Sequence, residues 1–526
     1  MVMDVPLLSA VLATSAILFF ALRDLFRRNG KGHLPPGPVP LPILGNILDI
    51  PRSSVGLAFS ALTKKYGDIV YFNVLGQPVI VIGSIKAAVD LLDKKSANFS
   101  GRPVSAVTKL AGLEFMFVFK QYGLQWRQHR RTFHLSFGID RVANYRPIQL
   151  NSARRLLTRL LTSPHDMQKN INMLVADTAM KLVYGIDAAV DDPECEMAKA
   201  IEALRAFVET LLLPSGHLIM DIFPFLRHLP SWLPGMHVKR VVETGRRAVQ
   251  GALDKLDNMS TAANREGRAM DSMMTRLLAD AGADAHAAAM KEHNQHVAAT
   301  TLLDAYDDGS FLPRRGNAPG IPEGGPGRAA VVGPDRLPEF SDYDRLPYTR
   351  AFIKELTRWH TVSPMGVPHT VVDDDEYNGY FIPAGTIVNV NIWSLSRDPE
   401  EYPDPYAFKP ERFLVENPPR DPNDYIFGFG RRLVLRLTLL ASGRSSDTLD
   451  PRRACPGNHF ATASLFIYCT SVLHVFDIMP PKDKYGSPVA LEYKAKDNLI
   501  PHIEGYEYII KPRSAEAERL VADLML

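Results

Sequence analysis

The sequence predicts a mainly α-helical protein with small β-sheets, an α+β class, preceded by an N-terminal membrane-anchor helix. Leu346-Pro347 opens a helical segment in which Glu355 and Arg358 share one face, and another apolar helical stretch follows Cys455. Tyr380 to Val388 is strand-like. A chain of 526 residues could hold two or three average domains, but one large helical domain with small sheets also fits this length.

The first residues have the pattern of a membrane anchor. Val5 to Leu22 contains no charged side chain and just spans a bilayer. The basic side chains that follow should stay in the cytosol, which places the short N-terminus across the membrane; they are Arg23, Arg27, Arg28 and Lys31. A cleaved signal peptide is the alternative, but it would carry its positive charges before the apolar run.

Three regions are therefore expected along the chain. Residues 1–28 form the anchor, residues 29–45 a Pro-rich linker, and residues 46–526 the main domain. The linker begins as a stiff, non-helical segment, because the prolines of Leu34-Pro35-Pro36-Gly37-Pro38 cannot continue the anchor helix.

Composition and charge exclude some classes of protein. The net charge is +2 and no basic stretch dominates, so nothing indicates nucleic-acid binding. The three cysteines, Cys195, Cys455 and Cys469, are too few for a disulfide framework. The main domain is therefore expected in a reducing compartment.

Cys455 lies in a turn suited to binding a metal. It belongs to Arg453-Ala454-Cys455-Pro456-Gly457, directly before the apolar helical stretch. The positive charge of Arg453 and the N-terminus of the following helix stabilise a thiolate. A buried structural thiol is the alternative. Upstream stands Phe427-Gly428-Phe429-Gly430-Arg431-Arg432, and the two halves joined would read Phe-Gly-Phe-Gly-Arg-Arg-Ala-Cys-Pro-Gly.

The joined loop resembles the haem-binding loop of the cytochrome P450 superfamily, of the fungal microsomal type. The order of Glu355-Leu356-Thr357-Arg358, then Phe408-Lys409-Pro410-Glu411-Arg412-Phe413, then the cysteine loop is similar to the core of that family. This resemblance implies a haem-thiolate catalytic domain with the cytochrome P450 fold. It also implies that Glu355, Arg358 and Arg412 form a buried charge network, although a solvated salt bridge would explain the first two alone.

The resemblance also implies a haem b cofactor whose iron has an axial thiolate from Cys455. Phe427 belongs to the haem loop, and the haem carboxylates are expected to contact Trp126, Arg130, His369 and Arg453. Trp126 and Arg130 stand one helical turn apart, and arginine is a good carboxylate ligand. The alternatives are a surface helix with basic side chains, and a lone surface histidine at position 369.

The implied activity is a haem-dependent monooxygenase. Such an enzyme inserts one oxygen atom of O2 into a small apolar organic substrate, with electrons from NADPH-cytochrome P450 reductase. The expected location is the endoplasmic reticulum membrane, single-pass, with the catalytic domain in the cytosol. A reductase-independent haem-thiolate isomerase or dehydratase is one alternative, and a catalytically inactive product of misassigned exon boundaries is another. No catalytic proton-delivery residue can be assigned.

The first irregular segment interrupts the haem loop. Leu433 to Arg453 separates the two half-motifs, and it ends by repeating the Arg-Arg already present at Arg431-Arg432. A short in-frame retained intron would produce such an interruption. A genuine loop that bulges outward and returns Arg453 to its position is the alternative.

The second irregular segment covers residues 302–330. The family has a long helix in this region, with an acid-alcohol pair that delivers protons, but four prolines and six glycines between Gly309 and Gly327 exclude a continuous helix. The Ala281-Gly282-Ala283-Asp284-Ala285 stretch imitates the expected motif but lacks the alcohol. Reading the codons of Phe311 to Ala329 one nucleotide later can yield a helix end, a turn and an amphipathic helix, as expected if exon boundaries are misassigned.

Overall fold

The computed structural model describes most of the chain beyond the N-terminus. The described residues are 32–51, 53–116, 118–187, 197, 199–201, 203–204, 207–208, 220, 226, 228–231, 237–267, 270–281, 332–429, 455, 457–485, 487 and 509–525. The predicted anchor, both irregular segments, Arg453 and Cys195 lie outside these residues. Within the described part of the chain, no helix combines the length and the apolar character needed to cross a membrane.

The helices and strands follow one another in a mostly helical order. The helices are α1 Val55–Tyr66, α2 Ile85–Ala88, α3 Ser96–Phe99, α4 Ala106–Leu110, α5 Leu124–Phe137, α6 Ile139–Thr162, α7 Met167–Tyr184, α8 His237–Arg265, α9 Met273–Ala281, α10 Pro347–Trp359, α11 Ile392–Leu395, α12 Asn423–Ile426, α13 Asn458–Val475 and α14 Ala515–Ala522. The strands are β1 Ile69–Val74, β2 Gln77–Ile82, β3 His369–Thr370, β4 Asp375–Tyr377, β5 Tyr380–Ile382, β6 Ile387–Val390, β7 Phe476–Met479 and β8 Ile509–Pro512.

The chain divides into two compact units. The sheet unit contains residues 1–103, 363–395 and 428–453, and the helical unit contains residues 104–362, 396–427 and 454–526. A mainly helical protein with small sheets was predicted, and this prediction is confirmed in the described residues.

The sheet unit is built on four hydrogen-bonded strands in the order β1-β2-β6-β3. Strands β1 and β2 pair antiparallel through a tight turn at Leu75 and Gly76, both of which have positive φ angles, as the right-handed twist of a two-residue hairpin requires. Strand β6 pairs parallel with β2 and antiparallel with β3. This pairing fixes β3, the strand that begins at His369, in the sheet.

The strand-like stretch from Tyr380 to Val388 was predicted as one segment, and that prediction is wrong in detail. The structure forms β5 up to Ile382 and a separate strand β6 from Ile387. Pro383 lacks the amide hydrogen that a central strand needs, and Gly385 has a φ of 75°. The intervening residues therefore form a turn.

The helical unit has its main core around α13. Phe466, Leu465 and Val472 of this helix pack with Phe352 of α10 and Leu156 of α6 in one apolar cluster. Helix α13 is buried on nearly all sides, as its almost unbroken apolar sequence requires. Helix α10 is amphipathic and begins at Pro347, because the fixed φ of proline suits the first helical position.

Candidate active site

Cys455 lies just before the first residue of α13, as the sequence indicated. Its amide N–H donates a hydrogen bond to the carbonyl oxygen of Phe427 at 3.1 Å, and its carbonyl accepts the N–H of Asn458 at 3.1 Å. Its thiol is partly exposed. A Cβ atom added at Gly457 would find the sulfur as its nearest neighbour, at 3.7 Å, so this glycine keeps space open beside the thiol.

The helix behind Cys455 favours the thiolate. Its N-terminal turn presents backbone N–H groups and the positive end of the helix dipole, both of which stabilise a negative sulfur. Cys469 lies in the middle of the same helix and is fully buried among apolar side chains. Of the two cysteines in the described residues, Cys455 is therefore the one that a cofactor can reach.

Helix α5 carries Trp126 and Arg130 one turn apart. Trp126 is buried, and its ring lies 5.2 Å from that of Tyr122. Burial lowers the pKa of Arg130, whereas the nearby Cys455 thiolate acts in the opposite direction. The structure thus brings the guanidinium of Arg130 and the thiol of Cys455 close enough to interact electrostatically.

An aromatic cluster holds α5 against the start of α13. Phe460, in the first turn of α13, packs in one apolar cluster with Trp126, Phe137 and Tyr145. The Phe460 ring lies 6.0 Å from Phe137 and 6.3 Å from Tyr145, both edge-on. Gln149 of α6 donates to the Phe460 carbonyl at 3.1 Å and to the Ser464 hydroxyl at 2.8 Å. These contacts fix the first turn of α13, which Cys455 directly precedes, and no sequence pattern predicts them.

His369 lies in the sheet unit, at the start of β3. It is buried, and its Nδ1 atom lies 3.0 Å from the carbonyl oxygen of Phe99. Arg102 braces the preceding segment by donating to the carbonyl oxygens of Val367 at 2.7 Å and Pro368 at 2.6 Å. These contacts exclude a lone surface histidine, and the predicted role of His369 toward a haem carboxylate stays a prediction.

Glu355, Arg358 and Arg412 come together as one buried charge network. Arg358 forms a bidentate pair with Glu355, with both distances 2.7 Å, and Arg412 Nε lies 3.1 Å from the same carboxylate. The backbone N–H of Lys409 donates to Glu355 at 2.7 Å. Glu355 and Arg358 are fully buried, which excludes a solvated salt bridge.

Backbone carbonyls satisfy the remaining donors of the two arginines. Arg358 donates to the carbonyl oxygens of Ser396, Pro405 and Ala407, and Arg412 donates to those of Pro403, Asp404 and Ala407. A buried ion pair is stable only when its remaining polar atoms are hydrogen-bonded, and this network meets that condition. It therefore ties α10 to the segment 403–412, which ends in a short 3-10 helix.

The residues around Cys455 fit a haem held through a thiolate. The donor is a reachable thiol at a helix N-terminus, the glycine beside it leaves space, and Arg130 supplies a positive charge for an anionic cofactor. Trp126 lies one helical turn from Arg130 on α5 and adds an aromatic side chain. Arg453, the other predicted partner, lies outside the described residues.

Comparison with known proteins decides the family. The cytochrome P450 family model matches residues 35–304 and 329–433, more than two thirds of the chain. The chain belongs to the cytochrome P450 family. Its cofactor is haem, with iron bound by a cysteine thiolate, and its activity class is that of a P450-type monooxygenase. The predicted family, class and cofactor are thereby confirmed.

Several fungal relatives are similar over nearly the full length. Cytochrome P450 monooxygenase COX2 of Coprinopsis cinerea is 35% identical over 94% of this chain and 92% of its own. Cytochrome P450 monooxygenase COX1 of the same fungus is 32% identical over 97% of this chain and 98% of its own. Cytochrome P450 monooxygenase 176 of Postia placenta is 31% identical, over 98% and 96% respectively.

The charge network yields a stability prediction. Glu355→Gln keeps the side-chain shape but leaves two buried guanidinium groups without their counter-charge, so we expect unfolding to become easier by about 3–5 kcal/mol. Urea unfolding followed by circular dichroism measures this loss. The matched control is Glu411→Gln, since Glu411 is exposed and accepts the Tyr348 hydroxyl, and a change within about 0.5 kcal/mol is expected there. Equal effects in the two variants would contradict a stabilising network at Glu355.

Proposed function

We propose that this cytochrome P450 inserts one oxygen atom of O2 into a small apolar organic substrate, with Cys455 as the axial ligand of the haem iron. The observation that carries the proposal is the reachable thiol at the N-terminus of α13 with Arg130 beside it. Electrons are proposed to come from an NADPH-dependent cytochrome P450 reductase, as the family's general need for a redox partner suggests.

The residues of the chain would bind and orient the cofactor. A thiolate-bound haem supplies dioxygen activation, because the thiolate pushes electron density toward the iron. The positive end of the α13 dipole favours a negative Cys455 sulfur, and the packing of Phe460 holds that end of the helix in place. Trp126 and Arg130 of α5 would bind a haem carboxylate, since a guanidinium can make two parallel hydrogen bonds to it.

We further propose that the two irregular segments are not part of the active enzyme. The family match is interrupted between residues 304 and 329, within the segment 302–330, and it ends at residue 433, where the segment up to Arg453 begins. Misassigned intron and exon boundaries account for both positions. The active protein would then have an uninterrupted haem loop and a continuous helix carrying its proton-delivery residues.

The location of the protein is also a proposal. The uncharged run from Val5 to Leu22, followed by basic side chains, supports a single-pass anchor in the endoplasmic reticulum with a cytosolic catalytic domain. This arrangement would bring the enzyme together with a membrane-bound reductase and with apolar substrates dissolved in the bilayer.

Ligation by Cys455 can be tested by spectroscopy. The reduced carbon-monoxide complex of the haem-loaded protein should show the long-wavelength absorption band from which the family takes its name. Cys455→Ser should abolish that band, because serine does not provide a thiolate. Cys195→Ser and Cys469→Ser serve as controls and should retain it. A band that survives in Cys455→Ser would rule out this ligand.

The irregular segments can be tested by removing them. We expect the 526-residue chain to hold haem weakly and to lack measurable monooxygenase activity, because an interrupted haem loop and an interrupted helix leave the site loosely held. A version without Leu433 to Arg453, and with the alternate-frame helix restored, should bind haem stoichiometrically. Haem content and NADPH-dependent turnover measure the difference. Equal values in the two versions would show that both segments are genuine parts of the enzyme.

Membrane attachment can be tested by extraction. The full-length chain should resist carbonate extraction, because its apolar N-terminal run is buried in the bilayer. Deletion through Arg28 should weaken this attachment, although contact through another surface could leave partial binding. A full-length chain that is soluble, or that is cleaved near Ala21, would contradict the anchor.

A further inference from the structure

Two buried tyrosines lie between the charge network and the cysteine loop. Tyr402 and Tyr425 are both fully buried, and their hydroxyl oxygens are 3.0 Å apart. Tyr402 donates its single proton to the carbonyl oxygen of Arg420 at 2.8 Å. Since that carbonyl can only accept, Tyr425 must donate to Tyr402. Burial raises the pKa of both phenols, so the pair remains protonated and neutral at physiological pH.

One end of this tyrosine pair contacts the charge network. The guanidinium carbon of Arg358 lies 5.3 Å from the centre of the Tyr402 ring, within the range of a cation–π interaction. Arg358 is itself held by Glu355 and by three backbone carbonyls. Tyr402 is therefore packed against one of the best-fixed side chains in the helical unit.

The other end of the pair leads to the haem loop. Tyr425 lies in α12, and its carbonyl oxygen accepts the N–H of Phe427. Phe427 in turn accepts the N–H of Cys455 at 3.1 Å. A continuous path of contacts thus runs from Arg358 through Tyr402, Tyr425 and Phe427 to Cys455.

The hydrogen bond between Phe427 and Cys455 joins two segments that other contacts hold separately. One backbone hydrogen bond contributes only about 1 kcal/mol net, so its geometry depends on how firmly each end is held. Phe460 and Gln149 hold the Cys455 end through α13, and the tyrosine pair is placed to hold the Phe427 end.

We propose that Tyr402 and Tyr425 are positioning residues that hold the Phe427 carbonyl in register with the Cys455 amide and so orient the Cys455 sulfur for metal binding. This inference rests on the proposed function, in which Cys455 ligates the iron. Neither tyrosine contacts the cofactor in this account, and their effect on the thiolate passes through the hydrogen bond between Phe427 and Cys455.

Amide hydrogen exchange in the full-length chain tests the inference without requiring bound haem. In Tyr425→Phe and Tyr402→Phe, the Cys455 amide should exchange about fivefold faster, the factor expected when one typical hydrogen bond is lost. The double variant should exchange no faster than Tyr402→Phe alone, because both changes break the same path. The fraction of bound haem with the thiolate band in its carbon-monoxide complex should fall in the same variants.

Tyr468→Phe is the matched control. Tyr468 is a buried tyrosine of α13 whose hydroxyl lies 3.2 Å from the Thr178 hydroxyl, so its loss also removes a buried hydroxyl–hydroxyl bond. Its substitution should leave both exchange at Cys455 and the thiolate band unchanged. Equal acceleration in this control would overturn the inference, because it would show a general loss of stability.

Different results would contradict the proposed function and the positioning role. A wild-type chain whose bound haem lacks the thiolate band would overturn the function on which the inference rests. A wild-type thiolate band that stays unchanged in Tyr402→Phe and Tyr425→Phe, together with unchanged exchange at Cys455, would overturn the positioning role alone.

Discussion

The ion pairs of the buried Glu355 carboxylate with Arg358 and Arg412 hold the framework of the helical unit together. This carboxylate accepts hydrogen bonds from Arg358, Arg412 and the Lys409 backbone, and the two arginines bind the carbonyls of the segment 403–412. Because Glu355 and Arg358 are fully buried, removing the carboxylate would leave uncompensated positive charge in the interior. The network therefore fixes α10 and that segment together, and Tyr402 stacks on its Arg358.

The haem ligand is fixed by a second, mainly apolar, constraint. Phe460 packs with the aromatic cluster of α5 and α6, and this contact sets the position of the first turn of α13. Cys455 immediately precedes that turn and meets the Phe427 carbonyl on its other side. The backbone at Cys455 is thus held by the packing of the turn that follows it and by this hydrogen bond. Arg130 lies on α5, the helix that this cluster packs against the start of α13. Its guanidinium is therefore close enough to interact electrostatically with the Cys455 sulfur.

Much of the site was predictable because its residues lie in local patterns. Glu355 and Arg358 are three positions apart on one helix face, Trp126 and Arg130 are four apart, and Cys455 precedes an apolar helix. The tyrosine pair and the contact of Gln149 with Phe460 could not be predicted, because tertiary packing joins distant segments that share no periodicity. The division of the strand at Pro383 and Gly385 was readable from residue type but was not predicted. The anchor and the irregular segments stay predictions, since they lie outside the described residues.

The central claim, that the Cys455 sulfur binds the haem iron, is tested most directly by X-ray absorption at the iron edge of the purified, haem-loaded protein. We expect one sulfur neighbour in the first coordination shell, beside the porphyrin nitrogens, and its replacement by a lighter atom or an open position in Cys455→Ser. A first shell without sulfur in the wild-type chain, or sulfur that persists in Cys455→Ser, would contradict it.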